Sequence, residues 1–174
     1  MKYFCIQVKT RAENRFIKLF KSKYPSIAFP LYFPQRQLDI RKQGKIKPSL
    51  SPVFPGYIFI ETENDEEINA YKWEFKSTEG FYRFLKSNNN ITPLSNQDLE
   101  LVLHFIKTGP IAGKSRVYFD ENSRIVVVEG PLSGLEGRII KVDKRKRRAK
   151  ISLDLYNDSF TIDLAFDIIG SIER

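Results

Sequence analysis

The sequence predicts an α+β chain in two parts, a sandwich of sheet and helices in front and a small β-barrel behind. Three observations carry this. Strand-like and helix-like segments alternate up to about residue 107, as in an α/β or α+β sandwich. From about Arg124 onward only strand-like segments occur, at 124–129, 138–143, 149–156, 159–165 and 168–172. Between the first two of these lies Glu129-Gly130-Pro131-Leu132-Ser133-Gly134-Leu135-Glu136-Gly137-Arg138, whose three glycines and one proline force a tight turn. Five consecutive cations, Lys144-Arg145-Lys146-Arg147-Arg148, then put a basic tip on a barrel hairpin, a shape suited to nucleic acid.

The elements follow in order. Residues 3–8 alternate like a strand. Thr10-Arg11-Ala12-Glu13 has capping-box form and opens a helix that runs to about Tyr24, before Pro25. Ala12, Phe16, Leu19 and Phe20 share one face of it, and Arg11, Arg15 and Lys18 share another. Residues 28–33 read as a second strand. Residues 35–53 are polar and basic, with Arg36, Arg41, Lys42, Lys45 and Lys47, and the Gly44 centre suggests an extended hairpin or mobile loop. Phe54-Pro55-Gly56-Tyr57-Ile58-Phe59-Ile60 is a turn running into an apolar strand. Asn64 caps a second helix with Ile68, Tyr71 and Phe75 inward, and a strand follows at 80–85. Ser95 caps a third helix, with Leu99, Val102, Leu103 and Ile106 inward and Gly109-Pro110 stopping it. Residues 108–120 suit a linker, which gives expected domains of 1–107 and 121–174. Asn157-Asp158 is the expected hairpin turn of the barrel.

Charge placement narrows the partner. The net charge is +8, and residues 1–119 carry all of it, with 19 Lys/Arg against 11 Asp/Glu. Residues 120–174 balance at 10 against 10, so their basic run is a local cluster. A polyanionic partner fits this polarity. Other classes recede. No apolar run approaches a membrane span. One cysteine, Cys5, allows no internal disulfide and fits a reducing cytoplasm. One Cys and one His build no structural zinc site, and no cofactor is expected. Nothing orients Cys5 and His104 into a nucleophile–base pair. Glu61, Glu63, Glu66 and Glu67 are explained by helix capping. Gly130 and Gly134 lack the Gly-Lys-Ser/Thr ending of a phosphate loop, so no catalytic residue is expected.

Several stretches together carry a family resemblance. The turn at 129–138 looks like a KOW motif. Tyr3-Phe4-Cys5-Ile6-Gln7-Val8-Lys9-Thr10, with Glu13 following, is similar to the opening of the bacterial NusG N-terminal domain. Phe54-Pro55-Gly56-Tyr57 looks like that domain's FPGY signature. Gly80-Phe81-Tyr82-Arg83-Phe84-Leu85 and Thr92-Pro93-Leu94-Ser95 resemble its following segment. The chain departs from a housekeeping NusG at 118–123, where the usual glycine is missing, and in its basic first helix and 35–53 loop. Its run from Val142 to Ile151 resembles that of LoaP, a specialised branch of the family.

The resemblance implies an antiparallel sheet flanked by helices, a linker and a KOW-type β-barrel. It implies a transcription elongation factor, most like an operon-specific processive antiterminator. The alternatives are a housekeeping NusG that engages Rho or the ribosome, and a ribosome-associated RNA-binding protein. The implied partners are the clamp helices of RNA polymerase, a leader-transcript RNA hairpin and exposed non-template DNA, with the chain a cytoplasmic monomer. Phe54, Tyr57, Tyr82 and Phe84 would meet the polymerase. Lys144, Arg145, Lys146, Arg147 and Arg148, with Lys141 and Lys150, would meet RNA, because Arg clamps phosphate and stacks on bases. The basic helix face (Arg11, Arg15, Lys18) and the 35–53 loop are further candidate contacts. Tyr156 matches the aromatic that would meet a ribosomal protein or Rho.

Overall fold

The computed structural model describes residues 1–170. In chain order the elements are β1 (Lys2–Val8), α1 (Glu13–Lys23), β2 (Leu31–Tyr32), β3 (Gln35–Lys42), β4 (Lys45–Pro52), β5 (Tyr57–Thr62), α2 (Asp65–Ala70), α3 (Lys72–Lys76), β6 (Phe81–Phe84) and α4 (Asn96–Thr108). Then come β7 (Ile111–Ala112), β8 (Ser115–Phe119), β9 (Ile125–Glu129), a 3-10 turn at Glu136–Arg138, β10 (Ile139–Asp143), β11 (Arg148–Leu155) and β12 (Asp158–Ile168). The chain divides into two units. The first comprises Met1–Phe33 and Phe54–Val102, and the second Pro34–Val53 and the residues from Leu103 onward.

The first unit is built on the antiparallel sheet β2-β5-β1-β6. Alternation along β1 and β5 sends Phe4, Ile6, Val8, Ile58 and Ile60 to one face, where they bury against Phe16 and Phe20 of α1 and Phe75 of α3. Phe20 and Phe75 stack at 4.2 Å between centroids. Cys5 and Phe59 lie opposite each other on the other face and are fully buried as well. Asn64 caps α2 as expected, its side chain accepting the Glu67 N–H at 3.1 Å.

The start of α1 differs from the expected capping box. The helix begins at Glu13, Ala12 holds the cap position, and no side chain caps it. Glu13 is instead buried and accepts the Gly56 N–H at 2.9 Å. Val8 N–H donates to the Gly56 carbonyl at 2.8 Å, so both polar groups of Gly56 are held by the β1–α1 segment. Phe54 O accepts from Tyr57 N, closing a turn with Pro55 second and Gly56 third at φ +82. A β-carbon on Gly56 would press to 3.2 Å from Thr10 Oγ1. Phe16 and Phe20 are buried as expected, but Leu19 is exposed. Arg11 precedes the helix in a left-handed conformation (φ 71), off the expected stripe. In α4 the buried residues are Leu101, Val102 and Phe105, a shift from the expected face.

The second unit contains the curled sheet β10-β11-β12-β8-β9, which is consistent with a KOW-like barrel. Its core comes from alternation along β11 and β12, where Ile151 faces Ile162 and Ala149 faces Leu164. β12 is one strand where two were expected, and the end of the expected 168–172 strand lies outside the described residues. The β11–β12 turn is Tyr156-Asn157, both left-handed, one residue earlier than expected. Residues 108–120, expected as a linker, carry β7 and β8. The glycine turn is clamped onto β8. Leu132 N–H donates to Ser115 Oγ at 2.9 Å, and His104 Nε2 lies 2.7 Å from the Pro131 carbonyl. At Gly130 (φ +109) a β-carbon would sit 2.6 Å from Ser115 Cα, which leaves room for glycine alone.

The 35–53 segment is an antiparallel hairpin, β3–β4, turned by Gln43 and Gly44 in left-handed conformations. β3 also pairs in parallel with β7, and the hairpin belongs to the second unit.

Glu13 therefore supports the 54–57 turn, and the two readings of its role separate by mutation. Glu13→Ala is expected to cost about 2 kcal/mol, because it leaves the buried Gly56 N–H without its acceptor. Thr10→Ala should cost less than about 0.5 kcal/mol, as for an exposed residue with no cap to lose. Urea unfolding followed by Trp73, the single tryptophan, reads this in the first unit. The reverse ranking would restore the capping box.

Candidate nucleic-acid interface

The basic tip is a four-residue loop between β10 and β11, closed by the Asp143–Arg148 pair. Asp143 accepts the Lys146 N–H at 2.9 Å, and that bond leads the causes holding its carboxyl below the usual range. Arg147 is left-handed (φ 54). Its carbonyl accepts the Phe166 N–H at 3.0 Å, which fixes the loop to β12. Lys144, Arg145, Lys146 and Arg147 are exposed. Lys144 Nζ lies 4.1 Å over the Phe119 ring. Arg147 is 3.9 Å from Asp167, and Arg145 and Lys146 form no ion pair among the described residues.

Two cations of the predicted set turn inward instead. Arg148 is half-buried and donates to the Asp39 carbonyl at 2.7 Å. Arg36 donates to the Asp163 carbonyl at 3.1 Å, and burial pushes its pKa down. Both are structural ties between the hairpin and the barrel, which corrects their expected role as surface contacts. Lys114, within the stretch expected as a linker, joins them. It pairs with Asp39 at 2.6 Å and with Asp167 at 3.8 Å, and its ammonium pKa rises, chiefly through the Asp39 bond. No pattern in the sequence marks it.

The hairpin's Arg41, Lys42, Lys45 and Lys47 remain exposed. The structure brings Arg41 and the 145–147 loop onto one cleft of about 830 Å³, with Ile40 and Ile46 on its hairpin side. Lys141 is exposed and Lys150 half-buried beside the loop. Arg15 and Lys18 are exposed on α1, where Arg15 lies 3.5 Å from Glu79.

The aromatic set divides. Phe84 is fully buried in the first unit's core, edge-on to Phe75 at 5.9 Å, because its place on β6 points it inward. Phe54 is fully buried edge-on to Phe59 at 5.2 Å. Neither presents a surface, which corrects their assignment as contacts. Tyr82, at the β1–β6 irregularity, is 58 % exposed, and Tyr57 is half-buried. Gln7 sits in register between Tyr57 and Arg83 and accepts from Arg83 Nε at 2.8 Å, a polar row that no sequence motif marks. Tyr156 is half-buried at its turn.

Cys5 is fully buried, and burial pushes its thiol pKa well up. No group of three His, Cys, Asp or Glu could hold a metal among the described residues, and no helix there is long and apolar enough to cross a membrane.

The comparisons with known proteins agree with this architecture. The sequence profile of the family described as "Transcription termination factor nusG" matches residues 1–103. Transcription termination/antitermination protein NusG of Neisseria meningitidis is 22% identical over 178 residues, covering 98% of each chain. That of Thermus thermophilus is 25% identical over 146 residues, covering 79% of this chain and 78% of the relative. That of Helicobacter pylori (strain J99) is 24% identical over 136 residues, covering 78% and 74%. A solved structure described as "Domain interaction in Thermotoga maritima NusG" shares the fold at a TM-score of 0.55 and 19% identity, covering 94% of this chain and 93% of its own. With a sheet-and-helix unit, a KOW-like barrel and a profile matching more than half its length, the chain belongs to the NusG family of transcription termination and antitermination factors.

Proposed function

We propose that this chain is an operon-specific processive antiterminator that joins the clamp helices of RNA polymerase to a hairpin in the nascent leader RNA. The observation that carries the reading is the exposed 144–147 loop, four adjacent cations of which Arg145 and Lys146 form no side-chain ion pair among the described residues. Mutual repulsion makes such a loop unfavourable for the free chain, and a polyanion relieves it. RNA supplies both the phosphates and the unpaired bases that Arg recognises. The first unit would hold the polymerase through Tyr57 and Tyr82, beside the Gln7–Arg83 row. Two modest contacts on one tethered transcript act at high effective concentration, which gives operon selectivity without catalysis.

Two measurements test the two arms. Tyr57→Ala with Tyr82→Ala should abolish co-purification with polymerase and leave RNA affinity unchanged. Full-yield co-purification would contradict the polymerase arm. Reversal of Arg145 and Lys146 to Glu should lower affinity for the adjacent operon's leader hairpin at least ~10-fold in a gel-shift assay near physiological salt. The log–log salt slope should shrink by about 0.7–0.9 for each phosphate no longer neutralised. Unchanged affinity, or equal binding of all RNAs by the parent chain, would contradict the RNA arm.

A further inference from the structure

We infer that the cleft between the β3–β4 hairpin and the β10–β11 loop is a receptor for an unpaired RNA segment, which deepens the RNA reading above and rests on it. Its volume of about 830 Å³ lies within the range of ligand pockets, roughly 300–1,000 Å³. Its lining is strongly cationic, with Arg41, Lys114, Arg145, Lys146, Arg147 and Arg148 against the acids Asp39 and Asp167. Lys114 engages both acids and Arg148 is committed to a backbone carbonyl. That leaves Arg41, Arg145, Lys146 and Arg147 to set the charge of the opening, with Asp167 near the last of them.

A merely electrostatic surface would not carry apolar side chains in its midst. Ile46 is 62 % exposed and lines the cleft on the same hairpin face as Arg41, its partner in register. Exposed isoleucine among cations suits a ligand with an apolar face and charged edges. An unpaired nucleotide has this character, since its base covers Ile46 while the flanking phosphates reach the four cations. An RNA duplex does not, because its bases are stacked inside and its convex backbone cannot fill a concave floor. The cleft thus reads a loop or bulge, and both walls are needed: the hairpin supplies the apolar side and Arg41, the barrel loop the other cations.

The test uses the full chain and fluorescence anisotropy with three labelled probes. These are a 12-nucleotide single-stranded RNA of mixed sequence, the same sequence as DNA, and the blunt RNA duplex. The single-stranded RNA should bind at least ~10-fold tighter than the duplex. Ile46→Ser, at an exposed site, should weaken the single strand about fivefold and leave the duplex unchanged. Arg41→Glu and Arg147→Glu should each weaken it about tenfold, and together by less than the product, because both act on one bound segment. Equal affinity for duplex and single strand, or an Ile46→Ser chain that binds as the parent does, would overturn the cleft while leaving RNA binding by the loop intact. Equal binding of the DNA strand would overturn its assignment to RNA. A parent chain that binds none of the probes, nor the leader hairpin, would overturn the RNA reading and the cleft together.

Discussion

Two arginines that point inward set the geometry of the second unit. Arg36 donates from β3 to the carbonyl of Asp163 on β12, and Arg148 donates from β11 to the carbonyl of Asp39 on β3. Withdrawing a guanidinium from water is costly, and part of that cost is not offset, since both Nε atoms are buried without a partner. The reciprocal bonds therefore add modest stability. What they add is placement, since one is donated by each partner and they fix where β3 crosses the barrel. Lys114, held between Asp39 and Asp167, reinforces the same junction.

From that junction the basic surfaces acquire a common direction. β3 leaves it toward Arg41 and the Gln43-Gly44 turn, while the backbone of Arg147, bonded to Phe166, aims the barrel loop. The sequence presents these as two cationic stretches about a hundred residues apart. The fold makes them opposite walls of one cleft, with Ile46 beside Arg41 on the hairpin wall. The first unit follows another logic. Its turn at 54–57 is held at Gly56 by Glu13 and Val8, and β5 enters the sheet from that turn with Tyr57 as its first residue. Phe54 is consumed in the interior to make that possible.

What was legible in the sequence was what periodicity encodes. The alternation of β1, β5, β11 and β12, the Asn64 cap and the glycine turn all appear where local pattern puts them, because each depends on neighbours in the chain. What was hidden depends on distant partners. Glu13 has the spacing of a capping box, and only the approach of Gly56, forty-three residues on, turns it into a buried acceptor. Arg36 and Arg148 look like surface cations until the carbonyls of Asp163 and Asp39 are in place. Lys114 and the strands β7 and β8 lie in a stretch whose Gly and Pro content reads as a linker, although pairing with β3 and β12 orders it. The burial of Phe84 is hidden for a simpler reason, since an aromatic in a short edge strand has an even choice of face until its register with Ile6 is known.

The cleft exists only if the hairpin rides with the barrel, and amide residual dipolar couplings of the full chain in solution address that directly. Couplings from β3 and β4 should fit the same alignment tensor as those from β10, β11 and β12, and Arg36→Ala with Arg148→Ala should break that agreement. A hairpin that needs a tensor of its own in the parent chain would contradict this, because its cations would then share no wall with the barrel loop.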